Sequence, residues 1–176
     1  NTVLEYSKGK TVDSSPCEVY DLTESIQEII DRYSKLMDKE GYDITFEHEC
    51  SAWVNAHPLK ISQIIYNLIN NALTFTGAEK KVLIRQTISD DKVKIEIIDD
   101  GEGIPAEELP YIWSRYYRGK KPHVRPAAGS GLGLNIVKDI LDGYHMEYGV
   151  ESRQGEGSCF WFALPLAKEG VKQEMN

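Results

Sequence analysis

Five polar side chains recur at intervals of three or four residues along one predicted helix of this 176-residue sequence. They are Lys60, Gln63, Asn67, Asn71 and Thr74. This spacing puts all five on one face of an otherwise apolar helix. Asparagine is a mediocre helix former, and its amide oxygen is a neutral, hard ligand that can hold Mg²⁺. The stripe fits either a solvent-facing surface, which the helix alone favours, or a magnesium site.

A carboxylate continues the apolar face of a predicted strand. Val93, Ile95 and Ile97 share one face by the two-residue period, and Asp99 is the next residue on that face. A buried carboxylate costs free energy unless a donor meets it, and the amino group of adenine is such a donor. The alternative is that the strand has already ended and that residues 99–103 form a loop, since a single DxGxG pattern is weak evidence.

A glycine-rich segment precedes the third predicted helix. Residues 129–134 read Gly-Ser-Gly-Leu-Gly-Leu, and the unpaired N–H groups at a helix start favour a phosphate there. No GxGxxG follows a strand and no GxxxxGK[ST] occurs, which excludes Rossmann and Walker motifs at the level of sequence. Taken alone, the segment could also be a flexible linker.

The charge distribution is uneven. The formal net charge of -8 argues against a general nucleic-acid binder, because binding to a phosphate backbone depends on positive charge. The window from Leu109 to Lys138 nevertheless contains no Asp or Glu. Its cations are Arg115, Arg118, Lys120, Lys121, Arg125 and Lys138. This window fits either a solvated basic loop or a site for a small polyanion.

Hydrophobic periodicity predicts the elements that must position these residues. Helices are predicted from the Asp21–Glu24 capping pair to Gly41, from Pro58 to Thr76-Gly77, and from near Ser130 to Gly143. Strands are predicted over 43–47, 52–56, 82–88, 93–98, 146–152 and 158–166. They indicate an α+β protein, a two-layer α/β sandwich with a mixed, mostly antiparallel sheet and three helices on one face. Residues 1–20 are expected to be a connector, 21–167 the domain and 168–176 a tail.

Five motifs occur in a fixed order along the chain. They are Asn67-Leu-Ile-Asn-Asn71-Ala72, Asp99-Asp-Gly101-Glu-Gly103-Ile104-Pro105, Ile112-Trp-Ser-Arg115-Tyr116-Tyr117-Arg118, Gly129-Ser-Gly131-Leu-Gly133-Leu134 and Gly155-Glu-Gly157-Ser158. Together they closely resemble the catalytic, ATP-binding domain of sensor histidine kinases, in the GHKL superfamily shared with gyrase, Hsp90 and MutL. The resemblance runs from Asp21 to Leu166 and implies the Bergerat ATP-binding fold, with ATP and Mg²⁺ as ligands.

The resemblance also implies roles for individual residues. Asn71 would coordinate Mg²⁺ with Asn67 beside it, Asp99 would accept the adenine amino group, and Gly101 and Gly103 would let the loop lie against the base. Catalytic candidates are Asn67, Asn71, Arg115 and Arg118. Candidates for ATP contact are Asn67, Asn71, Thr74, Asp99, Gly101, Gly103, Ile104, Tyr116, Arg118, Lys121, Arg125, Gly129, Ser130, Gly131, Leu132, Gly133, Leu134 and Ser158.

The segment between these motifs resembles two further family features. Ile112 to Arg118 resembles the phenylalanine box, with Trp113 and Tyr116 at its aromatic positions. The stretch 118–128 would be a mobile lid over ATP, and its cations would meet the phosphates.

Position 67 discriminates between branches of the superfamily, and two other positions depart from the usual residues of the family. ATP-hydrolysing members resemble one another in carrying a glutamate four residues before the metal asparagine, and Asn67 cannot take a proton in its place. This favours a kinase over a hydrolase. Thr74 and His57 stand where the family usually has Lys or Arg and Asp, respectively. One phosphate contact could therefore be missing. Lys60 or a cation of the lid could replace it, or the affinity for the nucleotide could be modest.

The resemblance implies transfer of the γ-phosphate of ATP to a histidine. None of His48, His57, His123 and His145 opens a His-Glu/Asp-Leu segment, so the acceptor is expected in an upstream dimerising helical hairpin. The expected partners are that domain and, indirectly, a response regulator. The full-length protein would be a homodimer, and this fragment could be a monomer. The fragment would be a cytoplasmic domain of a membrane-anchored sensor. The alternatives are a degenerate nucleotide-binding or regulatory module and an anti-sigma-factor serine kinase.

Overall fold

A computed structural model of the chain describes residues 17–114 and 133–168. The helices in these residues are α1 (Leu22–Asp31), α2 (Ser34–Glu40), α3 (Pro58–Phe75), a 3₁₀ helix (Ala106–Tyr111) and α4 (Gly133–Gly143). The strands are β1 (Glu18–Asp21), β2 (Asp43–Glu47), β3 (Trp53–Ala56), β4 (Lys81–Ser89), β5 (Lys92–Asp99), β6 (Glu147–Ser152) and β7 (Ser158–Pro165).

The main sheet has the strand order β2-β4-β5-β7-β6. Strands β2 and β4 are parallel, and all other neighbours in the sheet are antiparallel. One face of the sheet is buried, and α3 packs against it through β4 and β5, with α1 and α4 beside α3. Residues of this buried face include Val82, Ile84, Val93, Ile95, Ile97, Phe160, Phe162 and Leu164. The predicted α+β sandwich with a mostly antiparallel sheet is confirmed.

Local sequence signals explain how α3 and the central hairpin form. His57 accepts the N–H of Lys60 through Nδ1 at 3.4 Å, and Pro58 occupies the first turn, so the start of α3 is capped. The helix then buries Ile64, Ile65 and neighbouring apolar residues in the core. His57 therefore serves as the helix N-cap, which is a role an aspartate could also fill. Strands β4 and β5, which include the predicted ranges 82–88 and 93–98, pair antiparallel through a turn of two residues, Asp90 and Asp91.

The single long helix predicted from residue 21 to Gly41 is wrong, because the chain forms two helices, α1 and α2. Asp21 does cap the start by accepting the N–H of Glu24, and Gly41 ends the second helix at a φ of 78°. The break falls at Arg32 and Tyr33, where the Tyr33 hydroxyl donates to Asn70 on α3 at 2.9 Å. Apolar residues keep helical spacing across the break, so periodicity alone could not reveal it.

A small second sheet lies next to the start of α3. Strand β1 pairs antiparallel with β3, with Glu18 opposite Ala56, so residues 18–20 of the range expected to be a connector belong to a strand. On the other side of β3, Leu166 forms a bridge with Val54, and the Ala167 N–H donates to the Trp53 carbonyl at 2.7 Å. This second sheet fixes both described ends of the chain to the domain.

Candidate nucleotide-binding site

The polar stripe of α3 faces the start of α4 through Asn67. Its Nδ2 donates to the carbonyl of Gln63 one turn earlier at 2.9 Å, which leaves Oδ1 directed away from its own helix. A Cβ on Gly133 would lie 3.2 Å from that oxygen. The predicted asparagine helix and the predicted glycine segment therefore meet at this point, and Leu134 is half-buried next to it.

Asn71 lies one turn after Asn67 and is half-buried. Its side chain makes no hydrogen bond within residues 17–114 and 133–168, so its amide oxygen is available to a ligand. Thr74 is fully buried, and its hydroxyl donates to the Asn70 carbonyl at 2.9 Å. Asn70 is exposed and accepts from Tyr33, so it belongs to the packing of the helices.

Asp99 ends β5 on the buried face of the sheet, as its position in the strand predicts. Its exposed fraction is 3%, and its Oδ1 accepts the N–H of Gly101 at 2.9 Å. Burial raises the pKa of this carboxyl to about 6, the charge of Asp100 adds to the rise, and N–H bonds from Gly101 and Ser158 oppose it. Within the structure described, no cation pairs with Asp99. A buried carboxylate without a counter-ion can still accept from a ligand donor.

The loop after Asp99 touches the end of α3. A Cβ on Gly101 would overlap the carbonyl of Phe75, so only glycine fits there. The Asp100 carboxylate accepts from the Thr76 hydroxyl at 2.8 Å and from the Gly77 N–H at 3.2 Å. These contacts join the loop after β5 to the C-terminal end of α3.

The same loop is held from its other side by the turn between β6 and β7. Gly103 has a φ of 78°, and a Cβ there would overlap the carbonyl of Arg153. The hydroxyl of Ser152 accepts the Ile104 N–H at 2.8 Å and lies 2.8 Å from the hydroxyl of Ser158. It also contacts the Gly157 carbonyl at 2.9 Å.

Ser152 and Asp100 were not among the residues singled out from the sequence. A serine in a strand and a second aspartate in a loop are common, and neither has a distinctive spacing. The pairing of Ser152 with Ser158 across β6 and β7 could have drawn attention to the serine, but only once the strand register was known.

Trp113 is the member of the predicted aromatic pair that lies in the described structure. Its ring packs edge-on against Tyr148 and Phe160, with centroid distances of 5.3 and 5.7 Å. Ile112 beside it is buried. The remaining site predictions lie outside the described residues. They are Arg115, Tyr116, Arg118, Lys121, Arg125, Gly129, Ser130, Gly131 and Leu132.

These features suit a nucleotide with a bound cation. Asp99 offers a buried acceptor for an amino group, Gly101 and Gly103 remove side chains from the adjoining loop, and Asn67 and Asn71 present amide oxygens. No group of three or more His, Cys, Asp or Glu in residues 17–114 and 133–168 could hold a metal ion. The fold and these residues are those expected of an ATP-binding module with an α/β-sandwich architecture.

The comparisons with known proteins identify the family. A family model described as "Histidine kinase-, DNA gyrase B-, and HSP90-like ATPase" matches residues 56–168, and the chain belongs to this family. The chain is 30% identical to the sensor protein kinase WalK of Staphylococcus epidermidis over an alignment of 171 residues, and the alignment covers 94% of this chain. It is therefore a catalytic domain of the histidine kinase type, and the family implies that it binds ATP.

Solved structures agree with this assignment. The nucleotide-free catalytic domain of histidine kinase ThkA superposes with a TM-score of 0.74 at 28% identity, covering 86% of this chain and 97% of that one. ThkA in complex with the response regulator protein TrrA superposes with a TM-score of 0.71 at 25% identity, covering 86% of this chain and 42% of that one.

The chain spans 27% of the length of WalK, so it corresponds to one part of that relative. Within residues 17–114 and 133–168, no helix is long and apolar enough to span a bilayer.

Proposed function

We propose that this domain binds ATP together with Mg²⁺ and presents the γ-phosphate to a histidine in an upstream domain of the same protein or of its dimer partner. The relatives are named sensor kinases. Their names favour a histidine kinase over a degenerate regulatory module or an anti-sigma-factor serine kinase. The proposal concerns the ligand, the residues that hold it and the direction of transfer.

The observation that carries the proposal is the environment of Asp99. A carboxylate with 3% exposure and a raised pKa destabilises the free domain, and it has no cation nearby in the described structure. The 6-amino group of adenine would donate to the Asp99 oxygen that the loop N–H does not use. Gly101 and Gly103 would let the base approach the backbone closely.

The asparagines of α3 would act at the phosphate end of the nucleotide. Within residues 17–114 and 133–168 the Asn71 amide oxygen accepts no hydrogen bond, and it would be the metal ligand. Asn67 is oriented by its bond to Gln63 and faces Gly133. Mg²⁺ would neutralise phosphate charge as the phosphoryl group is transferred. A neutral ligand holds the cation without adding a base that could activate water.

The absence of a carboxylate at position 67 supports transfer over hydrolysis. An amide cannot take a proton from water, so this chain has no general base at position 67 to activate water for hydrolysis. We infer an upstream phosphoacceptor and dimerisation domain, and a response regulator as the next acceptor. The similar histidine kinase ThkA forms a complex with the response regulator protein TrrA. On this proposal the domain lies on the cytoplasmic side of a membrane-anchored sensor.

Calorimetry with a non-hydrolysable ATP analogue, with and without Mg²⁺, tests the binding step. We expect Asn71→Ala to abolish the gain in affinity that Mg²⁺ provides and Asp99→Asn to weaken binding with or without the metal. Asn70→Ala is the matched control, because Asn70 lies on the same helix and contacts Tyr33 instead.

The transfer step is tested on the longer protein with γ-labelled ATP. Acid-labile label on the upstream domain, lost in Asn71→Ala, is the expected result. Release of free phosphate without labelled protein would show a hydrolase and overturn the proposal, and so would unchanged Mg·ATP affinity in Asn71→Ala.

A further inference from the structure

We infer that Asp100 is a positioning residue of the nucleotide site, acting as a carboxylate clamp that sets the separation between Asp99 and the asparagine helix α3. The inference rests on the proposed function, since the clamp matters only if ligands bridge these two elements. Asp100 itself is exposed, and its role is to hold the backbone.

The clamp consists of the contacts that one carboxylate oxygen makes with two groups. Oδ1 of Asp100 accepts the N–H of Gly77 at 3.2 Å and lies 2.8 Å from the hydroxyl of Thr76. Both residues directly follow the last turn of α3, and Asp100 directly follows Asp99. A single side chain therefore joins the end of the helix with Asn67 and Asn71 to the end of the strand with the buried carboxylate.

Thr76 forms the buried part of the clamp. Its exposed fraction is 7%, and its hydroxyl lies 2.7 Å from the Lys81 carbonyl as well as 2.8 Å from Asp100. A hydroxyl carries one proton, so it donates to one of these oxygens at a time. Removing the hydroxyl would leave the Lys81 carbonyl and the Asp100 carboxylate without the Thr76 donor. An unsatisfied polar group at a buried position lowers the free energy of unfolding.

Steric contacts at the same place leave little room for adjustment. A Cβ on Gly77 would lie 2.8 Å from the Asp100 carbonyl, and a Cβ on Gly101 would overlap the Phe75 carbonyl. The backbones of the two elements are thus in direct contact. Loss of the clamp would let them separate, which displaces Asp99 from Asn71 although neither residue is altered.

Substitutions at position 100 separate clamping from charge. Asp100→Ala removes the acceptor, and Asp100→Asn keeps an oxygen for the Gly77 N–H while removing the negative charge. Asp91→Ala is the control, because Asp91 is an exposed aspartate in the turn at the opposite end of β5. Thr76→Val and Thr76→Ser form a second pair, which remove and retain the hydroxyl, respectively.

The affinity for the ATP analogue and the amide hydrogen exchange of Gly77 and Gly101 are measured in each variant. We expect Asp100→Ala and Thr76→Val to weaken binding by roughly tenfold and to accelerate exchange at both glycines by a similar factor. Asp100→Asn, Thr76→Ser and Asp91→Ala should match the wild type. In the full-length kinase, the loss in Asp100→Ala should appear mainly in the KM for ATP.

Two results would overturn the clamp. Wild-type binding and wild-type exchange in Asp100→Ala would show that the carboxylate positions nothing. Equal losses in Asp100→Asn and Asp100→Ala would show that its charge acts on the ligand directly. If the wild-type chain binds no nucleotide, the proposed function fails instead, and exchange at Gly77 in Asp100→Ala and Asp100→Asn still decides whether the clamp exists.

Discussion

Replacing Asp99 with asparagine is expected to stabilise the free domain while it weakens nucleotide binding. Burial raises the pKa of Asp99 from 3.8 to about 6. Each unit of pKa difference between folded and unfolded states corresponds to about 1.4 kcal/mol, so the ionised carboxylate lowers the free energy of unfolding by about 3 kcal/mol at neutral pH. An asparagine of the same shape carries no charge and keeps an oxygen for the Gly101 N–H.

The pH dependence has a definite sign. The folded domain binds the Asp99 proton more tightly than the unfolded chain does, so stability from this group is fully present below pH 3.8 and is lost as pH rises through about 6. The wild type and Asp99→Asn should therefore have similar free energies of unfolding near pH 4. At pH 7 the variant should be more stable by up to about 3 kcal/mol.

Urea denaturation of both proteins between pH 4 and pH 8 measures this difference, with Asp91→Asn as the exposed control. The same samples are titrated with an ATP analogue at pH 7, where Asp99→Asn should bind at least roughly tenfold more weakly because a charged acceptor is lost. The reasoning is refuted if Asp99→Asn is less stable than the wild type at pH 7, or if the stability difference between them does not change with pH.

Two further predictions follow from the site. Inosine triphosphate has the same phosphates as ATP but lacks the 6-amino group. The preference for ATP over inosine triphosphate should decline as the pH falls through about 6, because Asp99 becomes protonated. Competition binding measures this preference, and a preference that does not change with pH would contradict the adenine assignment. Gly101→Ala should lower the free energy of unfolding by at least about 2 kcal/mol, because the new Cβ would overlap the Phe75 carbonyl. Gly41 has a φ of 78° and open space around it, so Gly41→Ala should lower the free energy of unfolding by only about 1 kcal/mol. Equal losses for the two variants in urea denaturation would contradict the close contact at Gly101.

Much of the fold could be predicted because its signals are local. The apolar periods of α3, β4 and β5 predicted whether each element is a helix or a strand and placed its ends close to the observed ones. Asp21, His57 and Pro58 lie where helix starts are expected. The break between α1 and α2 could not be predicted. At the break, Tyr33 contacts Asn70 of α3, and the two residues lie 37 positions apart in the sequence, where no local pattern records the contact.

The candidate site was predictable in part for the same reason. The two-residue period alone placed Asp99 on the buried face, and its 3% exposure confirms that prediction. The roles assigned to Asn67, Asn71 and Asp99 remain predictions. So do those of the cations between positions 115 and 125, which lie outside the described structure.

The sequence by itself determined the residues with chemical potential, the order of the motifs and the faces of the elements, because side-chain direction follows from the period of a helix or strand. Only the tertiary structure decided which of these residues meet. Contacts such as Thr76 with Asp100 and Ile104 with Ser152 join positions 24 and 48 residues apart. Their partners are fixed by strand register and by glycine contacts between backbones, which no local pattern records.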